Sequence, residues 1–174
     1  MGEFEDEYSE SLESEFRKLD GALLGDTVKL LEPSEPIRFT VETTVIEAIG
    51  AMVTNRRAAV VVVDDEGRLI GIFTERDVLT RVVGAGRDVQ RTKLGEVMTR
   101  DPEALAPHDR ICYAVNRMSI AGYRTVPLID SERRPIGIVT VNDVVKWLAE
   151  VFPEAVLNLR PGDTIKQPGT LDAG

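Results

Sequence analysis

Two seven-residue stretches carry the residue types that could do chemistry: Gly71-Ile-Phe-Thr-Glu-Arg-Asp77 and Gly137-Ile-Val-Thr-Val-Asn-Asp143. Each puts a hydroxyl and a carboxylate three positions apart, behind a glycine, where an apolar run gives way to helical spacing. Thr74 and Thr140 suit a helix N-cap. Asp77 and Asp143 complete a pair resembling a capping box and favour the positive end of the helix dipole. The same turn from strand to helix aims free backbone N–H groups at whatever lies beside it, which makes it an anion site as well. A glycine three positions before the threonine lets a second backbone or a ligand come close. Spacing alone leaves helix cap and ligand site equally open.

Other reactive side chains are few. Cys112 is the single cysteine, so an internal disulfide is excluded, and with one histidine, His108, the chain cannot supply the ligand set of a structural zinc site. Cys112 reads as a small packing group on a helix, and His108 as a solvated loop residue beside Asp109. Trp147, in Lys-Trp-Leu, reads as a core or interface aromatic. No nucleophile triad, phosphate-binding Walker loop or acidic metal triad stands at a recognisable spacing, so no catalytic activity is expected.

The elements that must hold the two stretches come in duplicate. At an offset of 66 the chain matches itself without a gap, with identities at Pro36/Pro102, Ala48/Ala114, Met52/Met118, Val60/Val126, Asp64/Asp130, Arg68/Arg134, Gly71/Gly137, Thr74/Thr140 and Asp77/Asp143. Each unit predicts strand, helix, strand, strand, helix. In the first, Ile37 to Val41 is extended, and Thr44-Val-Ile-Glu47 is a capping box opening a helix with Val45, Ala48, Ile49 and Met52 on its apolar face. Ala58 to Asp64 is a β-branched run expected to be buried on both faces. A turn at 65–68 leads into a return strand over Leu69 to Phe73, and a helix follows from Thr74 to Val83. The second unit repeats this with Ala104 to Pro107, Arg110 to Ile120, Thr125 to Asp130, Ile136 to Val139 and Val141 to Val151. A unit of about 55 residues buries too little to stand comfortably alone, so the units are expected to pair about a pseudo-twofold axis, leaving clefts between them.

The chain has 174 residues, 43% of them hydrophobic and 29% charged, with a net charge of -9, which fits a soluble globular protein, and the mixed strand and helix pattern of its two units puts it in the α+β class. An acidic balance argues against nucleic acid as a partner, because that affinity is built on Lys and Arg. Residues 1–26 hold nine acids against two bases, so the repeats are close to neutral and a small phosphate ligand does not conflict with the charge. In that segment Phe4, Tyr8, Leu12, Phe16, Leu19 and Leu23 fall on one stripe, predicting an amphipathic helix closed by Gly25. Val151 to Leu159 reads as a packing or dimer element, and 161–174 as a mobile tail. No apolar run approaches the roughly 18 residues that span a bilayer, and the N-terminus is too acidic for a signal peptide, so a cytoplasmic protein without membrane contact is expected.

The doubled pattern resembles the CBS (cystathionine-β-synthase) domain family, on GIFTERD and GIVTVND, on AAVVVVD and RTVPLID, and on TTVIEAIGAM and RICYAVNRM. The resemblance covers roughly residues 26–150 and identifies the two units as one CBS pair, or Bateman module. It implies the following division: acidic helix 1–25, first repeat 26–84, linker 85–95, second repeat 96–150, packing segment and tail 151–174. It also implies a regulatory, energy-sensing module that binds AMP, ADP or ATP, or less often S-adenosylmethionine or NAD. By position the resemblance assigns ribose to Asp77 and Asp143 and phosphate to Thr74 and Thr140. It places Ala58, Ala59, Arg124 and Thr125 along base and phosphate, and Ile37 and Ala104 at the adenine. A vicinal diol offers two donors to a carboxylate, a charge-assisted pairing that suits those aspartates. Each site keeps one arginine suited to phosphate, Arg76 in the first and Arg124 in the second. A homodimer and a separate effector protein are the expected partners. The competing readings are a ligand-independent interaction module, in which Thr and Asp only cap helices, and a nucleic-acid binder.

Overall fold

The computed structural model describes Ser14, Arg17, Lys18, residues 21–22 and residues 24–151. Those before Asp26 are helical. The remainder of the helix expected over Phe4 to Leu23, most of the Val151 to Leu159 segment and the tail 161–174 lie outside the described residues. In the first unit the strand β1 (Arg38–Phe39) is followed by helix α1 (Val45–Asn55) and the strands β2 (Ala59–Val63) and β3 (Leu69–Thr74). Helix α2 (Glu75–Asp77) then runs on as a π-helix over Val78–Val83. A short helix α3 (Leu94–Val97) and strand β4 (Thr99–Arg100) lead to α4 (Ile111–Ile120), β5 (Thr125–Ile129), β6 (Pro135–Thr140) and α5 (Val141–Val151).

The predicted capping box holds: the Glu47 carboxylate accepts from the Thr44 backbone N–H at 2.8 Å and from its hydroxyl at 2.5 Å. The β-branched run packs as expected, with Val60, Val61 and Val62 fully buried on both faces. Both hairpins carry the same irregularity. The register slips between Val62 and Val63 against β3 and between Leu128 and Ile129 against β6, leaving Ile70 and Ile136 as the extra residues. Each turn is tied by one carboxylate. Asp64 accepts from the N–H groups of Glu66 and Arg68, and Asp130 from those of Glu132 and Arg134. The opening strands are shorter than expected: β1 has two residues, and the segment Ala104 to Pro107 contributes only a bridge between Leu105 and Leu128.

The units exchange their leading segments. Strand β4, which precedes the second unit in sequence, pairs antiparallel with β3 of the first at Gly71 and Ile72. In return Ser34, ahead of β1, bridges Ile138 of β6. The 3-10 turn Val28–Leu31 sits 66 residues before α3, and Thr27–Arg110 and Lys93–Thr44 are matched bridges at the same offset. Each core is therefore closed from the other side. Val28 and Leu31 pack with Leu105, Ile111, Val126, Leu128, Val139 and Trp147, while Leu94, Val97 and Met98 pack with Val45, Val60, Val62 and Phe73. Residues 94–95, expected to be linker, are structured, because Leu94 is fully buried in the first unit's core. A third cluster of Val61, Leu69 and Ile138 joins the two hairpins.

Candidate functional site

The two motifs fold identically at the ends of β3 and β6. Asp77 Oδ2 accepts from the Thr74 N–H at 2.9 Å and its hydroxyl at 2.7 Å, and the Asp77 N–H donates back to Thr74 Oγ1 at 3.3 Å. Asp143 Oδ2 accepts from the Thr140 N–H at 2.7 Å and its hydroxyl at 2.8 Å, with the return bond at 3.4 Å. The capping function is thus present in both. The cap itself uses one carboxylate oxygen, Oδ2, in each.

The glycines serve the exchange of segments. A Cβ at Gly71 would run into the Met98 thioether, closer than any van der Waals contact allows, and one at Gly137 would lie 2.8 Å from Pro33 Cβ. The close approach anticipated from sequence is made by the chain's own crossing segments.

The hairpin register brings the other candidates beside the caps. Ala59 pairs with Thr74 and Thr125 with Thr140, and the N–H groups of Glu75 and Val141 donate to the carbonyls of Ala58 and Arg124, at 3.0 and 3.1 Å. Ala58, Ala59, Thr74 and Asp77 therefore share one strand end, and Arg124, Thr125, Thr140 and Asp143 the other. Ile37 lies on the far side of β2, where its carbonyl accepts from the Val61 N–H. It lines a cleft of about 210 Å³ with Glu35, Pro36, Asn55 and Arg57. Ala104 packs against the central cluster of Val61, Leu69 and Ile138.

Charge is distributed unequally between the two ends. Arg76 is exposed and donates across the unit boundary to the Gly122 carbonyl at 3.4 Å. Arg81, not singled out from sequence, places Nε 3.2 Å from Asp77 Oδ1 and donates from Nη1 to the carbonyls of Val97 and Met98, at 3.1 and 2.8 Å. Asp77 is 6% exposed. Sixty-six residues on, Arg81 is replaced by Trp147, which is buried in the second core and donates its indole N–H to Asp26 Oδ2 at 3.2 Å. Among the described residues nothing bonds to Asp143 Oδ1, and the Arg124 side chain has no partner. The signal for Arg81 was its place one helical turn beyond Asp77. His108 is exposed, as expected, and among the described residues no cluster of acidic, His or Cys groups could hold a metal ion.

Two homologous α+β units, each closing on a strand end with a Thr–Asp cap and exchanging their leading segments, define a tandem-repeat module. A family model for the CBS domain matches residues 31–84 and 94–150, and the chain belongs to that family. The chain is 32% identical over 136 residues to the meiotically up-regulated gene 70 protein of Schizosaccharomyces pombe, covering 78% of this chain and 18% of that protein. To the mitochondrial CBS domain-containing protein CBSX3 of Arabidopsis thaliana it is 32% identical over 124 residues, covering 69% and 60%. It thus spans less than two thirds of either relative. Among solved structures it resembles the CBS domain pair of protein MJ0100, in complex with 5′-methylthioadenosine and S-adenosyl-L-methionine. That match has a TM-score of 0.63 and 25% identity, over 71% of this chain and 96% of the other. No helix among the described residues is long and apolar enough to cross a membrane.

Proposed function

We propose that this chain is a non-catalytic regulatory module that takes an adenosine-containing ligand, of the AMP, ADP or ATP class, beside its Thr–Asp caps and signals to a separate protein. The carrying observation is the cap geometry. A carboxylate fixed by its own helix start, with one oxygen spent on the cap, is preorganised to accept from a ribose diol with the other. The helix N-terminus and the neighbouring arginine suit phosphate. The MJ0100 pair, whose two ligands are both adenosine derivatives, supports the same class. Signalling requires that the ligand bind two arrangements of the repeats with different affinity, and the exchanged segments give each repeat a mechanical hold on the other.

The surface supports self-association as well. Leu79 and Val83 on the π-helix after α2, and Val141 and Val145 on α5, are exposed four residues apart, with Leu79 and Val145 equivalent positions. Tyr113 and Ile120 on α4, and Ile46 and Val53 on α1, are exposed too. Such helical faces fit a homodimer, and sedimentation equilibrium checks it, a monomeric mass at micromolar concentration being the contrary result.

A thermal-shift panel with AMP, ADP, ATP, NAD and S-adenosylmethionine tests the ligand. A site binding the folded state alone raises the melting temperature with concentration. If none of the five moves it, the ligand-independent interaction module replaces this reading.

A further inference from the structure

Although the two strand ends share backbone and cap, only one has a carboxylate oxygen to spare. At Asp77 both oxygens are engaged, Oδ2 by Thr74 and Oδ1 by the Arg81 guanidinium. Arg81 is itself held, because its Nη1 donates to the carbonyls of Val97 and Met98 in the segment that closes the first core. A hydroxyl arriving at Asp77 would have to break a charge-assisted contact on a buried carboxylate, and the freed guanidinium would stay clamped beside it. The first end also has Ala58 where the second has Arg124, and Arg76 is turned toward Gly122. At the second end the residue one turn after the aspartate is Trp147, whose N–H points to Asp26, leaving Asp143 Oδ1 and the Arg124 side chain unengaged among the described residues.

We propose that Arg81 is a specificity-determining residue that closes the first strand end to ribose, so that one copy of this chain takes a single adenosine ligand, at Thr140, Asp143 and Arg124. This rests on the adenosine-ligand reading above and makes a separate claim about stoichiometry. The internal ion pair at Asp77 does structural duty: it ties α2 to the crossing segment before β4.

Isothermal titration of the full chain with AMP, and in parallel with S-adenosylmethionine, tests it. The expected result is one equivalent per chain, lost at least tenfold in affinity in Asp143→Ala and weakened with 2′-deoxy-AMP. Arg81→Met is expected to gain a second equivalent, and the double variant Arg81→Met/Asp143→Ala to keep one. Melting curves confirm that each variant is folded, and Arg81→Gln is the milder substitution should Arg81→Met lose structure. Two equivalents in the wild type, binding that survives Asp143→Ala, or a folded Arg81→Met that is less stable yet still takes one equivalent would overturn the closure by Arg81. No heat from either ligand, with wild type and Arg81→Met alike, would instead overturn the adenosine-ligand reading on which it rests.

Discussion

The first and second repeats share their hairpins, down to the same slipped register, and their Thr–Asp caps, but the closing helix of the first is a π-helix over Val78–Val83 where the second has the α-helix α5. Where the first has a buried Phe73 and a polar Arg81, the second has Val139 and a buried Trp147, so aromatic bulk moves from strand to helix at equivalent positions. Their first helices open differently. In the first repeat Thr44 and Glu47 cap α1, whereas the matching Arg110 makes no side-chain cap at α4. Their turns differ too: Gly67 has φ +80°, and its counterpart Arg133 takes φ +62° with a side chain. Repeat symmetry is thus maintained by apolar positions and by the Thr–Asp caps, and it is broken at the first-helix N-cap, in the hairpin turn and one helical turn beyond the Thr–Asp caps.

The largest effect should come from the exchanged segments. Leu94→Ala, fully buried in the first core, and Leu31→Ala, 4% exposed in the second, should each cost about 2–5 kcal/mol in denaturant unfolding. A negligible loss for Leu31→Ala would mean that the second core closes without the crossing segment, and the symmetry of the exchange would fail. Next are the glycines, where an added methyl meets the crossing chain. Gly137→Ala meets Pro33, whose ring cannot rotate away, and should cost about 1–3 kcal/mol. Gly71→Ala meets the more adaptable Met98 side chain and should cost less. The caps come third: Thr74→Ala and Thr140→Ala should each lose about 1 kcal/mol, and a zero effect at either would show that cap to be dispensable.

The smallest effect separates the two first helices by pH. Bonds from the Thr44 hydroxyl and then its backbone N–H hold the Glu47 carboxyl below the usual glutamate range. A carboxyl lowered by folding contributes stability that is fully present above its unfolded value and is lost as pH falls through the lowered one. Glu47→Gln should therefore reduce the melting temperature at neutral pH and flatten its fall in acid. Parallel acid profiles for wild type and Glu47→Gln would remove Glu47 from this role. Tyr113, at the equivalent place in the second repeat, offers nothing comparable.

Much of this was legible in the sequence because it is local. The capping boxes, the buried valine run and the Thr–Asp pairs are set by neighbours within four residues, where propensity and hydrogen-bond reach decide the outcome. The exchange of segments was not read, since pairing Thr99 with Ile72 or Ser34 with Ile138 depends on which unit a short apolar stretch covers. A trace existed: Val28 and Leu94, and Leu31 and Val97, are apolar pairs at the offset of 66. Of the candidate residues, those flanking β2, β3, β5 and β6 share their strand ends because antiparallel register puts them there. Ile37 and Ala104 stand just ahead of segments that run parallel to β2 and β5, Ile37 on a cleft that also includes Arg57, next to Ala58, and Ala104 packed against the central cluster. The engagement of Asp77 by Arg81 had a trace in their spacing of four residues, but the hold of Arg81 on the Val97 and Met98 carbonyls depends on the crossing segment, which local spacing does not fix.

The central question is whether an adenosine ligand meets the second strand end. Nuclear magnetic resonance of the isotope-labelled chain, titrated with AMP, reads this amide by amide. Saturable shifts are expected at Thr140, Val141, Asn142 and Asp143 and at the Arg124 side chain, with the Thr74 to Asp77 amides moving little. Shifts led by Thr74 to Asp77, or a spectrum that AMP leaves unchanged, would contradict that expectation.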